Sequence, residues 1–160
     1  MSRQLPTGYS ARSPVTENEW RDYFFLRWSV LRKPWNQPEG TEKDHQEETT
    51  FHSMIVNNEN KIVAGGRLQM NDETVAQIRY MAVDPNEQGK GLGAIMIEQL
   101  ESAAMKKGAT HIFLQARENA VPFYLACGYE ITAKTFLLYD TIQHFRMDKR
   151  LDNTIVSLNL

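Results

Sequence analysis

Residues Ile78 to Gly108 constrain the fold more than any other stretch. Ile78 to Val83 reads as a strand, Asp84-Pro85 opens a turn, and Gln88-Gly89-Lys90-Gly91-Leu92-Gly93 forms a loop. An amphipathic helix follows, with Leu92, Ile95, Met96, Leu100, Ala103 and Ala104 on its apolar face; it carries on to Lys107 and stops at Gly108. Three glycines at alternate positions between a strand and a helix bring backbone close to an anion, because without Cβ atoms the loop turns tightly and its N–H groups converge. The first amides of the helix lack internal partners and sit at the positive end of its dipole, so a phosphate supplies what they need. The loop is not a Walker A loop: Gly-Lys is followed by Gly91 instead of Ser or Thr, and the four-residue spacer is missing. Gly89 to Ala94 does satisfy the loose dinucleotide pattern G-x-G-x-x-G/A. That pattern wants an acidic residue about 20 positions on, where this chain offers Thr110, His111 and Ile112. The plain structural alternative is a glycine-rich turn that merely starts a helix.

With 160 residues, the chain is long enough for one full hydrophobic core and short for two, and we expect a single domain over 1–151 with a tail at 152–160. A formal charge of −2 gives no global pull toward nucleic acid or an anionic membrane surface. No apolar run approaches the roughly 18 residues of a membrane span, and Met1 to Ser13 has no apolar stretch to serve as a signal peptide. The single cysteine, Cys127, rules out an internal disulfide and fits a reducing cytoplasm.

Upstream, Tyr9 to Pro14 holds a short first strand. Thr16 and Glu19 form a capping box, with Val15 and Trp20 placed as its hydrophobic staple. Trp20, Phe24, Trp28 and Leu31 then mark one buried helical stripe, ended by Pro34. Trp35 to Asp44 is a loop, read either as an ordinary surface connection or as a substrate-side wall carrying Arg27, Arg32, Trp35 and Glu39; Lys43 to Glu48 suggests a short second helix. Phe51 to Val56, Lys61 to Met70 and Thr74 to Val83 are strands whose short turns imply an antiparallel meander. Thr110 to Gln115 follows a helical crossover and should run parallel to the strand ending at Val83. Asn119 is placed to cap a short helix through Cys127, with Pro122 in the first turn and Gly128 closing it. Strands near Tyr129 to Ala133 and His144 to Leu151 complete a mixed sheet.

Met81-Ala82-Val83-Asp84-Pro85 followed by Gln88-x-x-Gly91-x-Gly93 resembles the acyl-CoA-binding motif of the GCN5-related N-acetyltransferases, where the loop holds the coenzyme A pyrophosphate. Asn119-x-x-x-Phe123-Tyr124-x-x-x-Gly128-Tyr129 resembles the coenzyme-binding helix of the same superfamily. The two motifs agree in order and spacing over roughly residues 50 to 150. At finer grain, Arg27-Trp28-x-Val30-Leu31-Arg32-Lys33-Pro34 and Gln37-Pro38-x-Gly40-x-Glu42-x-Asp44 are similar to the acetyltransferase halves of bacterial proteins that also carry a hotdog thioesterase-like domain.

The resemblance implies an α/β (α+β) fold, with a mixed, mostly antiparallel sheet of about six or seven strands flanked by about four helices. It implies acetyl-CoA as cosubstrate, no metal, and a primary amine as acceptor. A small amine, an amino acid, a polyamine and a protein lysine all stay open; we expect a small-molecule amine, and a homodimer stays open. The backbone around Met81, Ala82 and Val83, beside a bulge, would pair with the pantetheine arm as an added strand does. Gln88, Gly89, Lys90, Gly91, Leu92 and Gly93 would hold the pyrophosphate, with Lys90 either touching a phosphate or only solvated. Asn119 would hydrogen-bond the pantetheine or do no more than cap its helix, and Phe123 belongs to the same helix. Tyr124 is the candidate general acid, since a phenol of ordinary pKa about 10 can protonate a departing thiolate; its bland reading is a core aromatic. Cys127, with no histidine partner in sequence, reads better as a small buried thiol than as a nucleophile. The general base is open. Relatives place a glutamate near Gln77, and glutamine cannot serve; Glu118, His52, His111, His144 and a water relay remain. Arg67 and Arg79 would suit an acceptor bearing a carboxylate. The other class of reading is an acyl-CoA-binding module without catalysis, motivated by the missing strand glutamate.

Overall fold

The computed structural model describes residues 3–151, so the tail expected at 152–160 lies outside the described residues. Seven strands run in the order β1-β2-β3-β4-β5-β7-β6. They are β1 (Ser10–Arg12), β2 (Phe51–Val56), β3 (Ile62–Met70), β4 (Val75–Val83), β5 (His111–Arg117), β6 (Glu130–Leu138) and β7 (Ile142–Arg150). Three α-helices accompany them among the described residues: α1 (Glu17–Leu31), α2 (Leu92–Lys106) and α3 (Val121–Ala126). The fourth helix expected of the fold is absent there. Lys43 to Glu48 forms no helix; a 3₁₀ turn at Glu47–Thr49 stands in its place.

Local chemistry explains most boundaries. Thr16 accepts from the Glu19 amide at 3.1 Å, and the Glu19 carboxylate accepts from the amides of Thr16 (3.1 Å) and Val15 (2.9 Å), so the capping box starts α1. The staple does not form, since Val15 is 76% exposed. The buried face of α1 is also rotated from the expected stripe. Tyr23, Leu26 and Arg27 are buried, while Trp20, Phe24 and Leu31 are only partly so. β5 runs parallel to β4, Val75–Gln77 standing opposite His111–Phe113. β6 reaches Leu138 because Tyr139 and Asp140 both take positive φ (53° and 57°) and the Thr141 amide closes on the Leu138 carbonyl at 3.1 Å. That makes a hairpin turn without its usual Asn-Gly. Asn119 does not cap α3. It lies in a 3₁₀ turn at Glu118–Ala120, and α3 begins after Ala120 with no side-chain cap.

The chain divides into two compact units, residues 3–68 with 80–100, and residues 69–79 with 101–151. In the first, Tyr23, Leu26, Met54, Val56, Ile62 and Ala82 form a buried cluster flanked by Trp20, Phe24, Val30 and Leu31. Two glycines of β3 permit close approach on both sides of that strand. A Cβ on Gly65 would stand 2.7 Å from the Tyr23 ring, and one on Gly66 would stand 2.9 Å from Leu100 of α2. In the second unit Ile112, Leu114, Ala116, Tyr129 and Met147 are buried. No helix among the described residues is long and apolar enough to cross a membrane.

Candidate active site

The glycine loop is fastened to the first unit at its entrance. The Asp84 amide donates to the Val63 carbonyl (2.8 Å), its carboxylate accepts from the Asn86 amide (2.9 Å), and Lys61 reaches it at 3.1 Å. A 3₁₀ turn at Pro85–Glu87 leads to Gln88. Gly89 and Gly91 then take φ of 85° and 77°, conformations that cost other residues. A Cβ on either would meet nothing within 4 Å. These glycines are therefore required by backbone direction and not by crowding, and the space over the loop is open. Alternating left-handed residues make a concave row of amides suited to an anion. Leu92 and Gly93 open α2, with the Ile95 amide on the Gly91 carbonyl at 3.1 Å.

Lys90 is occupied. Its Nζ donates to Glu87 Oε2 at 2.6 Å and to the Tyr9 hydroxyl at 3.0 Å, and Tyr9 itself donates to Glu87 at 2.7 Å. The Glu87 carboxylate, then Tyr9, hold the Lys90 ammonium well above its ordinary pKa. Two of the three Nζ donors are thereby used, which leaves one for a phosphate.

Beside the loop, β4 is irregular. Its ladder with β5 covers Val75–Gln77 and goes no further, although β4 continues to Val83. Tyr80 interrupts the strand with φ 55°, an outlier for a bulky residue that costs about 1–3 kcal/mol. Met81 and Val83 are half-buried and Ala82 is buried.

In the second unit Asn119 is exposed and Phe123 half-buried. Tyr124 is half-buried, its ring 5.0 Å from Phe123 and 6.1 Å from Tyr129. Among the described residues its hydroxyl has no hydrogen-bond partner. Burial, and then the neighbouring Cys127, push the phenol well above its ordinary pKa, against an opposing effect of Arg117. Cys127 is half-buried. Lys149 fastens this end of α3 by donating to the Cys127 carbonyl (2.9 Å), while its ammonium lies 3.0 Å from Glu101, which also accepts from the Tyr129 hydroxyl (2.8 Å).

The candidate bases fare unequally. His52 has both ring nitrogens engaged, Nδ1 with the Tyr23 hydroxyl (2.8 Å) and Nε2 with the Glu47 carbonyl (2.7 Å). Burial lowers its pKa first of all. His144 is buried, stacked on Phe136 at 4.3 Å, with Nδ1 on the Ile142 carbonyl at 3.0 Å. Gln77 accepts from Asn71 at 3.1 Å and from Gln69 at 3.4 Å. Glu118 is exposed at the start of its 3₁₀ turn.

His111 pairs with Asp148 at 2.6 Å. Burial raises the Asp148 carboxyl, but hydrogen bonds from Arg146, Thr132 and His111 outweigh it and hold it at about 2. Because the folded value lies below the unfolded one of about 3.9, its contribution to stability is full above that pH and fades as pH falls to about 2. Asp148→Asn is expected to be less stable by about 1–2 kcal/mol near neutrality. Denaturant melts should show that gap closing between about pH 4 and pH 2. A gap independent of pH would reject this account.

Sequence reasoning missed a buried ionic cluster. Arg67 is not available to a substrate carboxylate: fully buried, it forks onto Asp44 at 2.6 and 2.8 Å. Arg27, also fully buried, forks onto Glu47 at 3.0 and 2.9 Å. The loop after α1 is thus an internally braced element; Arg32 adds a hydrogen bond to the Thr41 carbonyl (2.9 Å). The one available signal was Arg27 itself, a guanidinium beside Leu26 on the apolar side of α1.

The strand order, the parallel β4–β5 pair and the glycine loop opening α2 define a mixed α/β fold with a loop shaped for an anion. A family model described as acetyltransferase (GNAT) family matches residues 15–129. An uncharacterized N-acetyltransferase of Bacillus subtilis, YjcF, is 32% identical over 133 residues, 83% of this chain and 94% of that protein. Among solved structures, a GNAT family acetyltransferase from Elizabethkingia anophelis with acetyl-CoA bound superposes with a TM-score of 0.73. It is 12% identical, with 91% of this chain and 100% of that one covered. The ribosomal-protein-S18-alanine N-acetyltransferase of Escherichia coli gives 0.72 at 20% identity, covering 90% and 94%. The chain belongs to the GNAT family of acetyltransferases, and that membership supports an N-acetyltransferase over a module without catalysis.

Proposed function

We propose that residues 1–151 act as one acetyltransferase domain that moves an acetyl group from acetyl-CoA directly to a primary amine in a ternary complex. The observation that carries the reading is the cradle at Gly89 and Gly91: left-handed backbone over open space, at the mouth of a 15-residue helix. It fits a pyrophosphate at Gln88–Gly93, and the part of β4 beyond its ladder, Met81–Val83, fits a pantetheine arm. For Asn119 and Phe123, in the second unit, a coenzyme role rests on the motif resemblance alone. The acetyl-CoA bound to the Elizabethkingia protein supports the cosubstrate.

In the transfer, the amine nitrogen attacks the thioester carbonyl, a C–N bond forms, the C–S bond breaks, and the thiolate takes a proton from the Tyr124 hydroxyl. The raised pKa of Tyr124 keeps that proton in place until the sulfur leaves. Deprotonation of the amine falls to water or a base outside the histidines engaged in the interior. We favour a small-molecule amine, although the Escherichia coli structure bears the name of an enzyme acting on a ribosomal protein. With one cysteine, the cytoplasm is the expected compartment.

Initial rates at varied acetyl-CoA and amine, followed by free-thiol release over a panel of amines, are expected to give intersecting double-reciprocal lines. Parallel lines together with an isolable acetyl-enzyme would overturn direct transfer.

A further inference from the structure

Two arginines with no exposed surface stand in the first unit, and both are turned toward one tyrosine. Arg27 comes from α1 and Arg67 from β3. Besides its fork onto Glu47, Arg27 donates to the Glu42 carbonyl. Besides its fork onto Asp44, Arg67 lies 3.0 Å from Glu47. The Asp44 amide returns a hydrogen bond to Glu47 at 2.9 Å, and the buried Glu42 carboxylate accepts from the Gly40 amide at 2.8 Å. The loop that follows α1 is folded around two buried guanidiniums, which fork onto carboxylates and also lie against Tyr80. The Tyr80 ring centroid lies 4.1 Å from Cζ of Arg27 and 5.0 Å from Cζ of Arg67, with Arg32 at 5.8 Å.

Tyr80 is also the residue at which β4 turns, with φ 55°. A bulky aromatic side chain holds that conformation only where its surroundings over-determine it, and such residues mark sites where geometry is used. For stability alone the arrangement is a poor one. Glycine would adopt the same φ without strain, and well-packed apolar residues in place of a buried ion pair are often no less stable. What the grip on Tyr80 adds is a defined direction for the backbone that follows, Met81 to Val83.

We infer that Tyr80 is a positioning residue for acyl transfer. With Arg27 and Arg67 both against its ring, it sets the Met81–Val83 backbone for the pantetheine arm, and the loop after α1 holds the two guanidiniums in place through Asp44 and Glu47. This rests on the coenzyme reading given above, and the test separates the two.

The affinities of coenzyme A and of its nucleotide half, adenosine 3′-phosphate 5′-diphosphate, are measured by calorimetry for wild type, Tyr80→Leu, Tyr80→Gly and Tyr80→Phe. The nucleotide half reports on the glycine loop and lacks the pantetheine. Tyr80→Leu and Tyr80→Gly are expected to weaken coenzyme A by about tenfold and the nucleotide half by less than about twofold. Tyr80→Phe, which keeps a ring against both guanidiniums, is expected to restore the coenzyme A affinity. If Tyr80→Leu and Tyr80→Gly both bind coenzyme A as wild type does, or lose both ligands equally, the inference fails. It fails too if Tyr80→Phe is as weak as Tyr80→Leu. A wild type that binds neither ligand overturns the coenzyme reading itself, and this inference with it.

Discussion

Gly91→Asp is expected to lose acetyl-CoA binding by about a hundredfold or more while melting within a few degrees of wild type. Two effects act on the same atom position and differ in size. Gly91 has φ 77°, so any Cβ there costs on the order of 1–2 kcal/mol, and Asp tolerates the region better than most residues. That Cβ would meet nothing within 4 Å, so no clash adds to the conformational cost, and a domain holding about 5–15 kcal/mol remains folded. The carboxylate, in contrast, would enter the space assigned to the pyrophosphate. Like charges about 4 Å apart repel by about 4 kcal/mol at an intermediate dielectric, roughly three decades in affinity. Gly91→Ala separates the two effects, because it carries the same backbone cost without the charge and should retain most of the affinity. Thermal melts with and without acetyl-CoA report the result, as a ligand that binds only the folded state raises the melting temperature by mass action. An undiminished shift in Gly91→Asp would mean that the loop does not hold the pyrophosphate.

Features set by neighbouring residues were legible in the sequence. The capping box at Thr16 and Glu19, the meander of β2, β3 and β4, the glycine-opened α2 and the parallel β5 all rest on hydrogen bonds, periodicities or connection lengths contained within a few residues or one crossover. Features decided by distant packing were not. The face of α1 is turned toward Tyr23 and Arg27, whose guanidinium meets the Glu42 carbonyl 15 residues downstream and the Glu47 carboxylate 20 residues downstream; apolar periodicity cannot see such partners. Arg67 looked available to a substrate for the same reason, since Asp44, 23 residues away, occupies it. Tyr80 at positive φ has no local signature at all, for tyrosine is a poor choice there by propensity. Asn119 failed in the opposite sense. It has the right chemistry for a cap, but the 3₁₀ turn at Glu118–Ala120 carries the chain past it before α3 starts.

Tyr124→Phe is the variant expected to separate chemistry from binding. Its hydroxyl has no hydrogen-bond partner among the described residues, so removing it leaves no group unpaired and should change stability by less than about 1 kcal/mol. The ring, and its contacts with Phe123 and Tyr129, remain. Affinity for acetyl-CoA should therefore stay within about twofold of wild type. The chemical step should suffer, because the departing thiolate then has only water to protonate it; loss of a positioned general acid lowers kcat by about 10²–10⁴. The pH profile supplies an independent reading. Burial, then Cys127, raise the Tyr124 pKa above that of an ordinary phenol. The proton is consequently retained as pH climbs through about 10, where a solvated tyrosine would lose it. Wild-type kcat should show no fall from this group below about pH 10, while the acid limb follows deprotonation of the amine or its base. In Tyr124→Phe, kcat should be low at every pH and should rise when the leaving thiol is made more acidic, as in an acetyl thioester of an aryl thiol. A kcat within about threefold of wild type, or one insensitive to the leaving thiol, would remove Tyr124 from the chemistry and leave it a core aromatic.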